Sequence, residues 1–141
     1  MGFIAVNVLP FKPGFRISVT DTFVLAAGSV GAGLVAQSEW WMGLIIGFVV
    51  GHFFLFCNVV RVARPLELAW AALFTALAGS TIVVGRPGWP VTFATSLVGT
   101  LLVIALQIRK PSYHGIAWQW INPELHEWWD AQAGGTGGEE Q

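Results

Sequence analysis

Charge is the scarcest commodity in this sequence. Asp, Glu, Lys and Arg make up only 11% of its 141 residues, against 55% hydrophobic, whereas soluble domains carry roughly 25% charged and about 45–50% apolar residues. That balance excludes an ordinary water-soluble domain. The charges present nearly cancel, seven Lys and Arg against eight Asp and Glu, so the basic surface that would hold nucleic acid is missing. A lone cysteine, Cys57, excludes an intramolecular disulfide and a multi-cysteine zinc site. Glycine-rich phosphate loops, nucleophile elbows and paired-histidine zinc motifs do not occur. The carboxylates stand at helix ends and in the tail, so no catalytic pair and no enzyme is expected.

What is abundant is apolar run length. Residues 22–37, 40–60, 66–84 and 91–108 form four stretches whose one charge is Glu67, at the start of the third. A helix crosses the hydrocarbon core with about 20 residues at roughly 1.5 Å each. The expected fold is therefore an all-α integral membrane protein, an antiparallel bundle of four transmembrane helices over about 20–38, 40–62, 65–84 and 90–109. Residues 1–19 form an N-terminal cytoplasmic or interfacial arm, 111–132 a C-terminal interfacial segment with a short amphipathic helix, and 133–141 a flexible Gly-rich acidic tail. Ser38-Glu39 offers a cap for the second helix. Pro65 and Pro90 are placed to open the third and fourth. Residues 1–16 lack the order of a secretory signal, because their apolar run precedes Lys12 and Arg16.

The basic residues orient the bundle. Four crossings put Lys12, Arg16, Arg61, Arg64, Arg109 and Lys110 on one side and Arg86 alone on the other. Since Lys and Arg are retained in the cytoplasm, both termini are expected inside a cell inner (plasma) membrane. Tryptophan prefers the headgroup level. Trp40, Trp41 and Trp89 fall at the outer boundary, and Trp70, Trp118, Trp120, Trp128 and Trp129 near or beyond the inner one.

Small residues recur at every fourth position: Gly28, Ala32 and Ala36, then Gly43, Gly47 and Gly51, then Ala72, Ala76 and Ser80, then Thr92, Ser96 and Thr100. In lipid, close backbone approach replaces the hydrophobic push between helices, so these stripes are the expected packing faces. His52 is the one ionisable side chain near mid-span. An intramembrane titratable group is a functional candidate by default: His52 is read either as an axial ligand to haem or chlorophyll, or as a buried polar contact with Ser29, Thr75, Ser80 or Ser96. Asn58, Arg61 and Arg64 are spaced three apart and expected on one helix face, with Glu67 pairing to an arginine across the connection. This inner-interface cluster reads as an anchor and loop clamp, or as a site for an anionic headgroup.

Asn122-Pro123-Glu124 signals a helix start, after which Leu125, Trp128 and Trp129 share one face. Glu124, Glu127 and Asp130 make the other face acidic, unlike a lipid-gripping helix, so Leu125, Trp128 and Trp129 are expected to dock a protein partner. His114 and His126 match no metal-ligand spacing. The expected role is a non-catalytic accessory subunit of a larger membrane complex (respiratory, photosynthetic or another oxidoreductase assembly), with lipid and other membrane subunits as partners. A small oligomeric channel or transporter and a pigment- or haem-contacting subunit using His52 are the alternatives.

Overall fold

The structure, a computed structural model, describes residues 11–135. All its regular elements are helices: α1 (Val19–Ser38), α2 (Trp40–Phe54) continuing into a π-helical turn (Leu55–Val59), α3 (Arg64–Val84), α4 (Trp89–Ile108), α5 (Trp118–Ile121) and α6 (Leu125–Gly135). Four of them, counting α2 with its π turn as one, are long and apolar enough to cross a membrane. The chain is a multi-pass, all-helical membrane protein. The expectations for residues 1–10 and 136–141 lie outside the described residues, while 133–135 form the last residues of α6 rather than the start of a tail.

Local chemistry sets the helix ends. Ser18 and Asp21 form a reciprocal capping box: the Asp21 amide donates to Ser18 Oγ at 3.1 Å and the Ser18 amide to Asp21 Oδ2 at 2.8 Å. Ser38 does not cap α2. It is the last residue of α1 and donates to the Val35 carbonyl, while Glu39 accepts from Trp41 Nε1 at 2.9 Å. Pro65 and Pro90 sit in the first turns of α3 and α4, and α3 stops at Gly85 in the left-handed region.

α2 ends before residue 62. The Val60 amide reaches back to the Leu55 carbonyl and the Val62 amide to that of Phe56, so the last turn widens, and Arg61 then takes φ 54°. Asn58, Arg61 and Arg64 therefore do not share a continuous helix face: Asn58 lies in the π turn, Arg61 in the link, and Arg64 opens α3. π turns of this kind re-aim side chains within a helix.

α1 packs against α2 at backbone distance. A Cβ on Gly43 would overlap that of Ala36 and stand 2.6 Å from the Ala32 carbonyl oxygen, and one on Gly28 would stand 2.7 Å from Val50 Cγ2. The expected stripe on α2 is only partly used, because Gly47 and Gly51 have open space where a side chain would be. Helix geometry explains the split. At 3.6 residues per turn, Gly47 and Gly51 lie about 40° and 80° around from Gly43, while Val50 returns to within about 20°. The contact therefore follows seven-residue spacing, as in left-handed crossings. The Ala72, Ala76 and Ser80 stripe is likewise exposed, because α3 turns Trp70, Phe74, Ala78 and Thr81 inward instead.

Candidate functional site

His52 lies nine residues beyond Gly43, about 180° around the helix, and so faces α3 and α4 while Gly43 faces α1. It is 8% exposed. Its ring stacks on Trp70 with centroids 4.5 Å apart and planes 13° apart, and Phe48 lies 4.2 Å away on the same helix. Trp70 in turn stacks on Phe74 at 5.5 Å, and Phe56 meets it edge-on at 5.3 Å. Trp70 is thus buried between the helices, its ring turned into the core.

Both imidazole nitrogens are bonded. Nδ1 stands 2.8 Å from the Phe48 carbonyl and Nε2 2.9 Å from Thr100 Oγ1. A carbonyl only accepts, so Nδ1 carries a hydrogen. In the neutral ring Nε2 is then an acceptor, and it shares the single Thr100 hydroxyl hydrogen with the Ser96 carbonyl, which stands 2.8 Å from Thr100 Oγ1; Trp70 Nε1 donates to Thr100 Oγ1 at 2.9 Å and to the Ser96 carbonyl at 3.0 Å. The network joins Trp70, Thr100 and His52, with the Phe48 and Ser96 carbonyls as its terminal acceptors. A cationic ring would place an unpaired charge among aromatics, which is costly within a bilayer. Further along α4, the Ser96 hydroxyl donates to the Thr92 carbonyl at 2.7 Å, and the Thr81 and Thr92 hydroxyls pair at 2.8 Å. No buried side-chain nitrogen or oxygen among the described residues is left without a partner.

This arrangement does not fit an axial ligand. A metal would have to approach Nε2, and Thr100 Oγ1 stands in that position at 2.9 Å. The partner is Thr100, outside the group expected from sequence. Buried polar α4 positions Thr92, Ser96, Thr100 and Gln107 carried the signal for it: polar residues at four- and seven-residue spacing in an apolar helix seek interhelical bonds.

A second polar centre closes the end where α2 meets α3. With its amide nitrogen toward the acceptors, Asn58 donates to the Arg16 carbonyl at 2.8 Å and to Asp21 Oδ2 at 3.0 Å, and its own carbonyl accepts from the Arg16 amide at 3.1 Å. Gln107 holds the link from the other side, donating to the Arg61 carbonyl and accepting from the Ala63 amide, both at 3.2 Å. Asn58 and Gln107 are each 2% exposed. Arg61 Nη1 donates to the Lys12 carbonyl at 2.7 Å. Glu67 pairs with no arginine; it accepts a long 3.7 Å contact from Cys57 Sγ. The expected clamp is thus made by amides rather than by ion pairs.

The C-terminal segment completes this end. The Gly14 amide donates to the His114 carbonyl at 2.7 Å and the Ile116 amide to that of Val59 at 2.8 Å. Gly115 permits that approach, since a Cβ there would collide with the Val60 carbonyl oxygen. The Asn122 side chain does not cap α6; its amide donates to the Pro111 and Tyr113 carbonyls, and α6 starts at Leu125. Leu125 is 0% exposed, and Trp129 meets Phe11 edge-on at 5.5 Å, with Trp128 beside it at 6.3 Å. The stripe expected to dock a partner is therefore folded onto its own chain at Leu125 and Trp129. Burial, reinforced by the Arg61 charge and opposed by a bond to the Ser112 carbonyl, holds His114 below its ordinary value of 6.5.

No protein-family model, curated protein or solved structure matches this chain.

Proposed function

We propose that this chain is a non-catalytic accessory subunit of a larger membrane-protein assembly, such as an oxidoreductase complex. In this reading it is an antiparallel four-helix bundle in an inner (plasma) membrane with both termini cytoplasmic. The pairing of Gly43 with Ala36 and of Gly28 with Val50 supports opposite directions for α1 and α2. Six of seven basic residues at the arm end support the cytoplasmic placement. The observation that carries the functional reading is the self-contained polar interior. Histidine, tryptophan, threonine and serine within the spans bond to one another and to backbone, where a transporter would present such groups to a water-filled path. Outside that interior the surface is broadly apolar: α1 buries no residue, and Phe23, Val30 and Leu34 are each more than half exposed.

The exposed glycines Gly47 and Gly51 favour a second reading, a small oligomeric channel or transporter, because another copy could pack on them. Extraction in a mild detergent separates the two. The subunit reading predicts co-purification with other membrane proteins at fixed stoichiometry. A monodisperse homo-oligomer that carries ion flux in liposomes would overturn it. An absorption spectrum of the same preparation tests the pigment alternative, and bands outside the protein ultraviolet that vanish in His52→Ala would restore it.

A further inference from the structure

Among the described residues, the cations of the basic end form no ion pair, although Asp21 lies close enough to Arg16 to feel its charge. Two clefts open there, of about 840 Å3 and about 510 Å3, and both are lined by Arg16, Arg61 and His114. Lys12 adds a positive charge to the larger and Arg64 to the smaller; the smaller also has Glu67 on its wall. Among the described residues the one ion pair is His126 with Asp130, at 3.4 Å on the surface. Asp21 is engaged by Ser18 and Asn58, and Glu67 by Cys57.

The amides that close this end of the bundle also fix the backbone of both arginines. Asn58 grips Arg16 through both its backbone and its side chain, and Gln107 grips the carbonyl of Arg61. Arg61 occupies the left-handed region at φ 54°, a conformation unfavourable to a non-glycine residue and found most often at functional sites. Burial and the neighbouring Arg16 charge both press on the Arg61 guanidinium, lowering its pKa. An anion between the two would relieve that repulsion. Phosphate suits the chemistry, since guanidinium presents a planar fork of donors to its oxygens.

The surroundings favour a lipid as the source of that phosphate. The clefts lie at the ends of the spans, the level of lipid headgroups. Phe15 and Ile17 on the wall of the larger and Phe53 on that of the smaller are all more than a third exposed. Basic pockets between helices at this level take anionic headgroups.

We propose that the paired clefts form a binding site for a phosphate-bearing anion, with Arg16 and Arg61 as its principal contacts, filled in the bilayer by an anionic phospholipid headgroup whose chains run beside Phe15 and Phe53. This inference is independent of whether the chain is an accessory subunit or a channel.

Native mass spectrometry of the full chain in neutral detergent tests it, with phosphatidylglycerol, phosphatidylcholine and inorganic phosphate offered separately and in competition. The expected result is a phosphatidylglycerol adduct preferred over phosphatidylcholine by roughly tenfold or more, taking about 1 kcal/mol per basic residue at the membrane surface. Arg16→Gln/Arg61→Asn should abolish the preference, Asn being chosen because it tolerates the left-handed backbone. Arg16→Lys/Arg61→Lys should keep part of it and so separates lost charge from lost fold. Arg109→Gln/Lys110→Gln removes two charges that line neither cleft and should leave it intact. A preference that survives Arg16→Gln/Arg61→Asn, or that falls equally in the Arg109→Gln/Lys110→Gln control, overturns the site. Displacement of the lipid by millimolar inorganic phosphate would assign the site to a soluble phosphate compound, and persistence of the lipid adduct assigns it to the headgroup.

Discussion

The two faces of α2 hold the bundle by different means. Toward α1 the contact is made by missing side chains: Gly43 and Gly28 let the backbones approach, and dispersion does the rest. Toward α3 and α4 the contact is made by large side chains, with His52, Trp70 and Phe48 stacked and joined through Thr100. The first seam tolerates no added atom at its crossing point, whereas the second tolerates no removed donor. One helix carries both because nine residues separate Gly43 from His52, two and a half turns at 3.6 residues each.

Mutations at the first seam should have the largest effects. Gly43→Leu is expected to destabilise the bundle by about 3 kcal/mol or more, because its Cβ already overlaps Ala36 and the rigid backbone of α1 must shift. Denaturation in mixed micelles, followed by circular dichroism, reads this out. Gly47→Ala provides the internal control: with nothing within contact distance of its Cβ, it should change stability by less than about 0.5 kcal/mol. Equal losses from the two would show that the seam follows the fourfold stripe rather than the seven-residue contact.

The second seam should yield in smaller steps. His52→Ala empties a stacked, buried site and is expected to cost about 2–4 kcal/mol. Thr100→Val keeps the volume and removes the hydroxyl shared by His52 and Trp70, for about 1–2 kcal/mol. The coupling between these two changes in a double-mutant cycle should be about 1 kcal/mol, within the range of buried interhelical hydrogen bonds in membranes. Simple additivity would contradict the network and reduce the seam to packing alone.

The spans were legible in the sequence because length and hydropathy report directly on the solvent a helix requires. The prolines that open α3 and α4 were legible because a missing amide is harmless in a first turn. Which side of each span faces a neighbour was not. Lipid and helix interior are equally apolar, so Ala72, Ala76 and Ser80 look like a packing stripe although they face outward. Thr100 and Gln107 were missed as partners for a related reason: they stand on a different span from the groups they satisfy, and spacing within one helix does not reveal them. The π turn at residues 55–59 hid the separation of Asn58 from Arg61, which regular helix periodicity had joined. Leu125, Trp128 and Trp129 read as one apolar stripe, but such a stripe alone does not distinguish a partner from the chain's own arm, which Trp129 meets at Phe11.

The smallest predicted effect concerns the arm rather than either seam. His114 is held neutral by burial, below its ordinary 6.5. The unfolded junction binds a proton that the folded one resists, so the stabilisation is fully present above about pH 6.5 and is lost as pH falls below it. Hydrogen exchange at the Gly14 and Arg16 amides, which bond to His114 and Asn58, should quicken between about pH 7 and about pH 5 once corrected for intrinsic rates. In His114→Gln the dependence should flatten. A pH response unchanged in that variant would assign it to another group.

Topology remains the foundation of the whole account, and labelling of tagged termini in sealed, right-side-out vesicles tests it most directly. Both tags should be protected from an impermeant reagent until the membrane is opened, and a tag in the Gly85–Gly88 turn should react at once. Termini that differ in accessibility would mean an odd number of crossings and would contradict the four-span bundle.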